Sequence, residues 1–214
     1  MKAILATQIY DLKNQSRFKE ILDCLYRNSG LTAINNIILF INPKQLYDYV
    51  PKNDRIIYLY PDKHITFKEC FNQLEIAKKR LYPKEDCLLI TANSDIFFTN
   101  ADISIAMSNI TEQQAYALSR WDIKHDGKHL LYDRRDSQDT WMFKNMIKLG
   151  QYDIELGRPG CDNRILYELE KAGYEVINPS KTIKTFHQHI HKSDTYNDND
   201  KIVGEYSFRS PVFL

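Results

Sequence analysis

Asn93 and Asp95 carry metal-competent side chains two residues apart, directly after the apolar run Cys87 to Thr91. On an extended backbone, residues at that spacing point the same way. Carboxylate and amide oxygens suit a hard divalent cation such as magnesium or manganese, which keeps open positions for phosphate oxygens. An Asn-x-Asp after a strand also spells a simple Asx turn, so the pair needs support from elsewhere. A second group supplies it. His187, His189 and His191 alternate along Phe186 to His191, share one face if that segment is extended, and make up half of the six histidines. Imidazole is a ready ligand for manganese-like metals. A solvated polar edge would have the same pattern, and no cysteine lies nearby to complete a tetrahedral zinc site.

Further carboxylates and cations stand where strands and helices begin or end. Asp162, in Pro159-Gly160-Cys161-Asp162-Asn163-Arg164, is placed to cap the helix that carries Ile165, Leu166 and Leu169. A carboxylate there can also face a cleft and take a proton from a sugar hydroxyl. Asp136 and Asp139 lie in the charged stretch Arg134 to Trp141, which is a solvated loop unless one of them meets a substrate. Arg120 can neutralise a phosphate, and Trp121 can stack on a sugar, although both residue types also serve as ordinary packing.

The elements that must position these groups follow from the apolar pattern. Ala3 to Ala6, Ile37 to Ile41, Arg55 to Tyr60 and Cys87 to Thr91 are strand-like runs. Between them, Ser16 precedes a helical pattern of Phe18, Ile21, Leu22 and Leu25 that Gly30 can stop. Thr66 and Glu69 have capping-box spacing ahead of a second helix, with Phe67, Cys70, Phe71, Leu74, Ala77 and Leu81 on one face. Such alternation predicts an α/β domain with a mainly parallel central sheet flanked by helices and right-handed crossovers. Ligands then bind beyond the carboxyl ends of the strands, where Thr7-Gln8, Tyr60-Pro61-Asp62 and Asn93-Ser94-Asp95 fall. In the second half, Ala115 to Ser119 and Thr140 to Phe143 are short strands separated by a polar loop from Lys124 to Gln138. A helix runs from about Asp162 to Ala172 before Gly173, and Val176-Ile177 and Thr182 to Phe186 are extended. Lys192 to Asp200 forms a surface excursion or the start of a linker.

Length and charge bound the function. A chain of 214 residues, 43% hydrophobic, suits one domain with a sizeable core, and a formal charge of +1 advertises no basic face for nucleic acid. The apolar start, Met1 to Thr7, is too short for a signal peptide and reads as a strand. No run approaches the roughly 20 residues that span a bilayer, so no membrane span is expected. Cys24, Cys70, Cys87 and Cys161 are widely spaced, three of them among apolar neighbours, as reduced core thiols of a cytoplasmic protein would be. The first glycine is Gly30, so the Gly-rich phosphate loop of an enzyme that makes nucleotide sugars is missing after the first strand.

Taken together, Asn93-Ser94-Asp95-Ile96-Phe97-Phe98, Leu118-Ser119-Arg120-Trp121-Asp122, Ser137-Gln138-Asp139-Thr140-Trp141, Gly160-Cys161-Asp162-Asn163-Arg164 and Asn178-Pro179-Ser180, followed by His187 and His189, form an ordered series. That series resembles a group of small GT-A-type glycosyltransferase domains found in large DNA viruses and bacteria, including chlorovirus enzymes that decorate a capsid protein. The resemblance covers essentially the whole chain. It implies a single GT-A domain over 1–214 with a Rossmann-like half. Residues 1–100 would bind the nucleotide sugar, 101–191 the acceptor, and 192–214 would be an excursion or lead to further domains. It also implies a manganese or magnesium cofactor, with Asp95 as principal ligand, Asn93 as the variant first position of an Asp-x-Asp motif, and His187 or His189 as the distal ligand. The amide at Asn93 removes one negative charge and leaves that residue free to contact ribose instead. Thr7, Gln8 and Tyr10 would lie beside the nucleoside, Asp62 would read its base, and Ser94 and Arg120 would serve the donor. Asp162 would be the general base of an inverting enzyme, and Asp139 the alternative carboxylate. The implied reaction moves a sugar from a UDP-sugar, UDP-glucose or UDP-rhamnose, to a glycan or glycoprotein acceptor in the host cytoplasm if viral. The competing possibility is a catalytically silent module that only binds nucleotide sugar or carbohydrate.

Overall fold

The computed structural model describes residues 1–10, 14–190 and 200–214. In its first half, β1 (Lys2–Tyr10), α1 (Gln15–Gly30), β2 (Asn36–Asn42), β3 (Ile56–Leu59), α2 (Phe67–Leu81) and β4 (Cys87–Ala92) alternate as the apolar pattern predicts. After them come β5 (Ile96–Phe97), α3 (Asn100–Asn109), β6 (Gln114–Leu118), β7 (Trp121–Ile123), β8 (His129–Leu131), β9 (Thr140–Lys144), α4 (Cys161–Lys171), β10 (Glu175–Ile177) and β11 (Phe186–His187).

Seven strands form the central sheet in the order β10-β6-β9-β4-β1-β2-β3. Only β9 runs antiparallel to its neighbours. All six residues of β4 are buried, which a central strand needs when both faces are covered. On one face Leu89, Trp141 and Phe143 pack against Phe67, Phe71 and Leu74 of α2 and Ile165 and Leu169 of α4. On the other, Leu88, Ile90 and Met142 pack against Phe18, Ile21 and Leu25 of α1 and Ile103 of α3. The alternation of the pleat thus feeds two cores. All four thiols are free and buried, Cys70, Cys87 and Cys161 in the first of these cores and Cys24 in a small cluster with Phe97 and Phe186.

Local chemistry sets the helix starts. Thr66 and Glu69 make the reciprocal capping box that their spacing predicts. The cap of α1 is Asn14 rather than Ser16, its side chain accepting from the amides of Ser16 (3.0 Å) and Arg17 (3.2 Å). Two other expectations are corrected. Thr182 to Phe186 is not one extended run: the amides of Thr182 and Ile183 both donate to the Pro179 carbonyl, which turns the chain before the short β11. The polar loop from Lys124 to Gln138 carries β8, which pairs back on β7 as a hairpin. No helix of the described residues is long and apolar enough to cross a membrane.

A second sheet, in the order β5-β11-β7-β8, stands at the carboxyl edge of the first. Asn28 of α1 ties it down, donating to the Ile96 carbonyl (2.8 Å) and accepting from the Phe98 amide (3.1 Å), with its side chain buried. Replacing Asn28 with Ala strands both groups, and should cost about 2 kcal/mol in a urea unfolding titration. An Asn28→Ala variant as stable as the parent would mean that this anchor carries no weight.

Candidate functional site

Register brings the site together. β1 and β4 run in parallel with Ala6 opposite Thr91, so Thr7 stands beside Ala92 and donates to its carbonyl (3.1 Å). A parallel strand delivers its last residues to this edge, whereas the antiparallel β9 delivers its first. Ala92 pairs with Thr140, which sets Asp139 next to Asn93. The Asn93 amide donates to the Asp139 carbonyl (3.0 Å), and its Nδ2 to Asp139 Oδ1 (3.0 Å). Arg120, two residues beyond β6, donates from Nη1 to Asp139 Oδ2 (3.1 Å) and to Ser137 Oγ (2.9 Å).

The second sheet supplies the histidine. β11 lies between β5 and β7 with His187 opposite Ile96 on one side and Asp122 on the other. The His187 ring is therefore held at both nitrogens, Nδ1 to Asp122 Oδ1 (2.9 Å) and Nε2 to Asp95 Oδ2 (3.1 Å). Burial alone would disfavour its charge, but Asp95 and Asp122 outweigh that and raise its pKa to about 9. Burial likewise opposes ionisation of the two carboxyls. His187 and Arg17 nevertheless hold Asp95 well below the usual carboxylate range, and His187 and Arg120 hold Asp122 at about 2. The His189 ring lies 5.2 Å from that of His187, and burial with nearby Arg17 lowers its pKa. Ligand atoms of Asp95, His187 and His189 all lie within 4.8 Å of one another. The alternating histidines thus share one face up to His189, while His191 lies outside the described residues.

Two buried residues of α1 complete this part. Arg17 donates to Asp95 Oδ2, to the Gln188 carbonyl and, from Nη1, to Glu20 Oε2 (2.7 Å). Glu20 also accepts from the Ile190 amide (3.0 Å). Glu20, Arg17, Asp95, His187, Asp122, Arg120, Asp139 and Asn93 form one continuous line. Arg17 and Glu20 carry no motif, but a signal was available: positions 17, 20, 24 and 28 make a helical stripe in phase with Phe18, Ile21 and Leu25. Asp122 stands in the quoted block after Arg120, and only its partner in β11 marks it.

Asp162 is not a cap. Gly160 caps α4, at φ +81, a left-handed conformation that glycine adopts without steric cost. Asp162 lies in the first turn, where its carboxylate accepts from the Gln138 amide (3.3 Å) and the Asn163 amide (3.1 Å). Burial, and then the charge of Asp139, push its pKa up to about 6. Asp136 instead pairs with Arg134 near the surface.

A cleft of about 180 Å³ opens at the ends of β1, β2 and β3, lined by Gln8, Tyr10, Asn42, Pro61, Lys63 and His64 among others. Burial and Asp95 raise the pKa of the Tyr10 phenol, while the Ser94 hydroxyl and Arg17 lower it, so Tyr10 links this cleft to the charged line. Asp62 does not line it. Its side chain is exposed, and its neighbours Pro61, Lys63 and His64 form the wall.

No family profile matches the chain, and no curated protein matches it in sequence. Solved structures do. The S. aureus TarS fragment 1–349, solved with UDP-GlcNAc, is 7% identical over 90% of this chain and 60% of that chain, with a TM-score of 0.52. The 4-diphosphocytidyl-2C-methyl-D-erythritol synthase of Anaerococcus prevotii is 19% identical over 67% of this chain and 70% of that chain, at 0.41. A CMP:2-keto-3-deoxy-manno-octonic acid synthetase complexed with CTP is 10% identical over 56% and 53%, at 0.38. The chain has the Rossmann-like α/β fold that GT-A proteins such as TarS share, and spans about 60% of that TarS fragment.

The raised pKa of Asp162 has a consequence for stability. Its folded pKa, about 6, exceeds the unfolded value, near 3.8, so the protonated form favours folding. That contribution is complete below about pH 4 and disappears as pH rises through 6. Asp162→Asn removes the dependence. Relative to the parent, the variant should gain stability between pH 4 and pH 7, by at most about 3 kcal/mol, in paired denaturation curves. A difference that stays flat with pH would show that the carboxyl is not perturbed.

Proposed function

We propose that the chain is a metal-dependent glycosyltransferase that moves a sugar from a UDP-sugar, UDP-glucose or UDP-rhamnose, to the hydroxyl of a glycan or glycoprotein, as in viral capsid glycosylation. The observation that carries this is the convergence of Asp95, His187 and His189 within 4.8 Å, at the carboxyl edge of the sheet and beside the line that holds Arg120 and Asp139. One carboxylate and two imidazoles form a mixed oxygen and nitrogen donor set, which suits manganese better than magnesium. A manganese ion held there would neutralise charge on the departing diphosphate.

The other roles belong to the chain itself. Gln8 and Tyr10 line the cleft of about 180 Å³ and would position the nucleoside, with His64 rather than Asp62 beside its base. The Thr7 hydroxyl is engaged by the Ala92 carbonyl and ties the end of β1 to that of β4. Arg120 would add positive charge near the diphosphate, with Asp139 and Asp122 fixing its orientation. Asn93, bonded through Nδ2 to Asp139, braces that carboxylate. Between the two candidate bases, Asp162 is favoured. Asp139 is tied through its two oxygens to the side chains of Asn93 and Arg120, whereas Asp162 accepts only from backbone amides and has the pKa near 6 that a base working at neutral pH needs.

Calorimetric titration of UDP with and without manganese, followed by assays of UDP release from UDP-sugars, tests this directly. Asp95→Ala should abolish the metal-dependent part of UDP binding. Asp162→Ala should keep UDP binding and lower turnover by about 100-fold or more. Binding without any turnover in the parent chain would favour a silent nucleotide-sugar module, and full turnover in Asp162→Ala would pass the role of base to Asp139.

A further inference from the structure

Arg17 is 5% exposed and its guanidinium reaches three acceptors: Glu20, the Gln188 carbonyl and Asp95. The contact with Asp95 falls on Oδ2, the same oxygen that faces His187 Nε2. A divalent ion held between Asp95 and the two imidazoles would meet Oδ2, the oxygen nearest the His187 ring, where it and the Arg17 guanidinium would repel each other. The geometry points to Arg17 as a built-in counter-cation, which holds the ligands in place and competes with the divalent ion for Asp95. This rests on the metal reading above.

Three features support it. First, Arg17 can let go without being stranded. Its Nη1 is bonded to Glu20 Oε2 (2.7 Å), three residues on in the same helix, so a small rotation can free Asp95 while the guanidinium keeps a carboxylate partner. A buried guanidinium with no such partner would be too costly to release. Second, the pair brackets His189. Arg17 donates to the carbonyl of Gln188 and Glu20 accepts from the amide of Ile190, so the residues on both sides of that ligand are fixed from α1. Third, the charge favours a cation. Glu20, Asp95, Asp122 and Asp139 bring four carboxylates to the line, against the guanidinium groups of Arg17 and Arg120 and the ammonium of Lys124 beside Asp122. With His187 neutral, as a metal ligand must be, the line keeps a net negative charge.

Arg17 is therefore a positioning residue, and its effect should be read in metal affinity. Manganese binding, without nucleotide, can be followed by the electron paramagnetic resonance signal of the free ion. The double variant R17Q/E20Q removes the plug and leaves the net charge of the pocket unchanged, so a more negative site cannot explain tighter binding. It should bind manganese at least tenfold more tightly than the parent. E20Q alone leaves Arg17 committed to Asp95 and should bind severalfold more weakly. Thermal melting confirms that each variant is folded. Parental or weaker affinity in folded R17Q/E20Q overturns the proposal; if that variant does not fold, parental or tighter affinity in E20Q does so. D95A separates the two levels. Manganese binding that survives D95A, or that is missing from the parent and R17Q/E20Q alike, overturns the metal reading itself. Binding that D95A abolishes and R17Q/E20Q leaves unchanged overturns only the role of Arg17.

Discussion

The imidazole of His187, bonded at one nitrogen to Asp95 and at the other to Asp122, is the joint on which the charged line depends. It exists because β11 lies between β5 and β7 in a register that sets His187 against Ile96 and Asp122 at once. A slip of one residue would turn the ring to the opposite face and leave both carboxylates without it. From that joint the line runs one way through Arg17 to Glu20, and the other way through Arg120 to Asp139 and Asn93. Removing an interior member would leave its neighbours buried and underpaired, a far larger cost than the net value of any single bond in the line.

Such a line can be held only on a stiff base. The apolar faces of the central sheet, packed by α2 and α4 on one side and α1 and α3 on the other, provide it. The site stands at the edge of this base, where strand ends leave backbone and side chains free to turn outward. Asn28 connects the two levels by fastening the segment after Asp95 to α1. Helix α1 consequently serves both the core, through Phe18, Ile21 and Leu25, and the site, through Arg17 and Glu20.

The reversed direction of β9 separates the two carboxylates that could act on a substrate. It places Asp139 in the midst of the strand ends, tied through its two oxygens to Asn93 and Arg120. Asp162 reaches the same region from the first turn of α4, and the charge of Asp139 then adds to burial in raising its pKa. One charge is spent on structure, and that expenditure tunes the other.

The sequence by itself determined what depends on near neighbours. The apolar runs of β1, β2 and β4, the capping box of Thr66 and Glu69 and the mainly parallel α/β class are all legible, because periodicity and capping act within a few residues. Residue types and spacings mark Asp95 and the alternating histidines each as metal-competent, and only the family resemblance joins them into one ligand set. Tertiary structure decided the rest. The partnership of Arg17 and Glu20 with Asp95, the bond from Asp122 to His187, the exposure of Asp62 and the shift of the α4 cap from Asp162 to Gly160 are not visible in any local pattern. They depend on strand register and on which charges must share a buried space, and a charge taken out of water accepts the partner that the fold brings to it, however far away that partner lies in the chain.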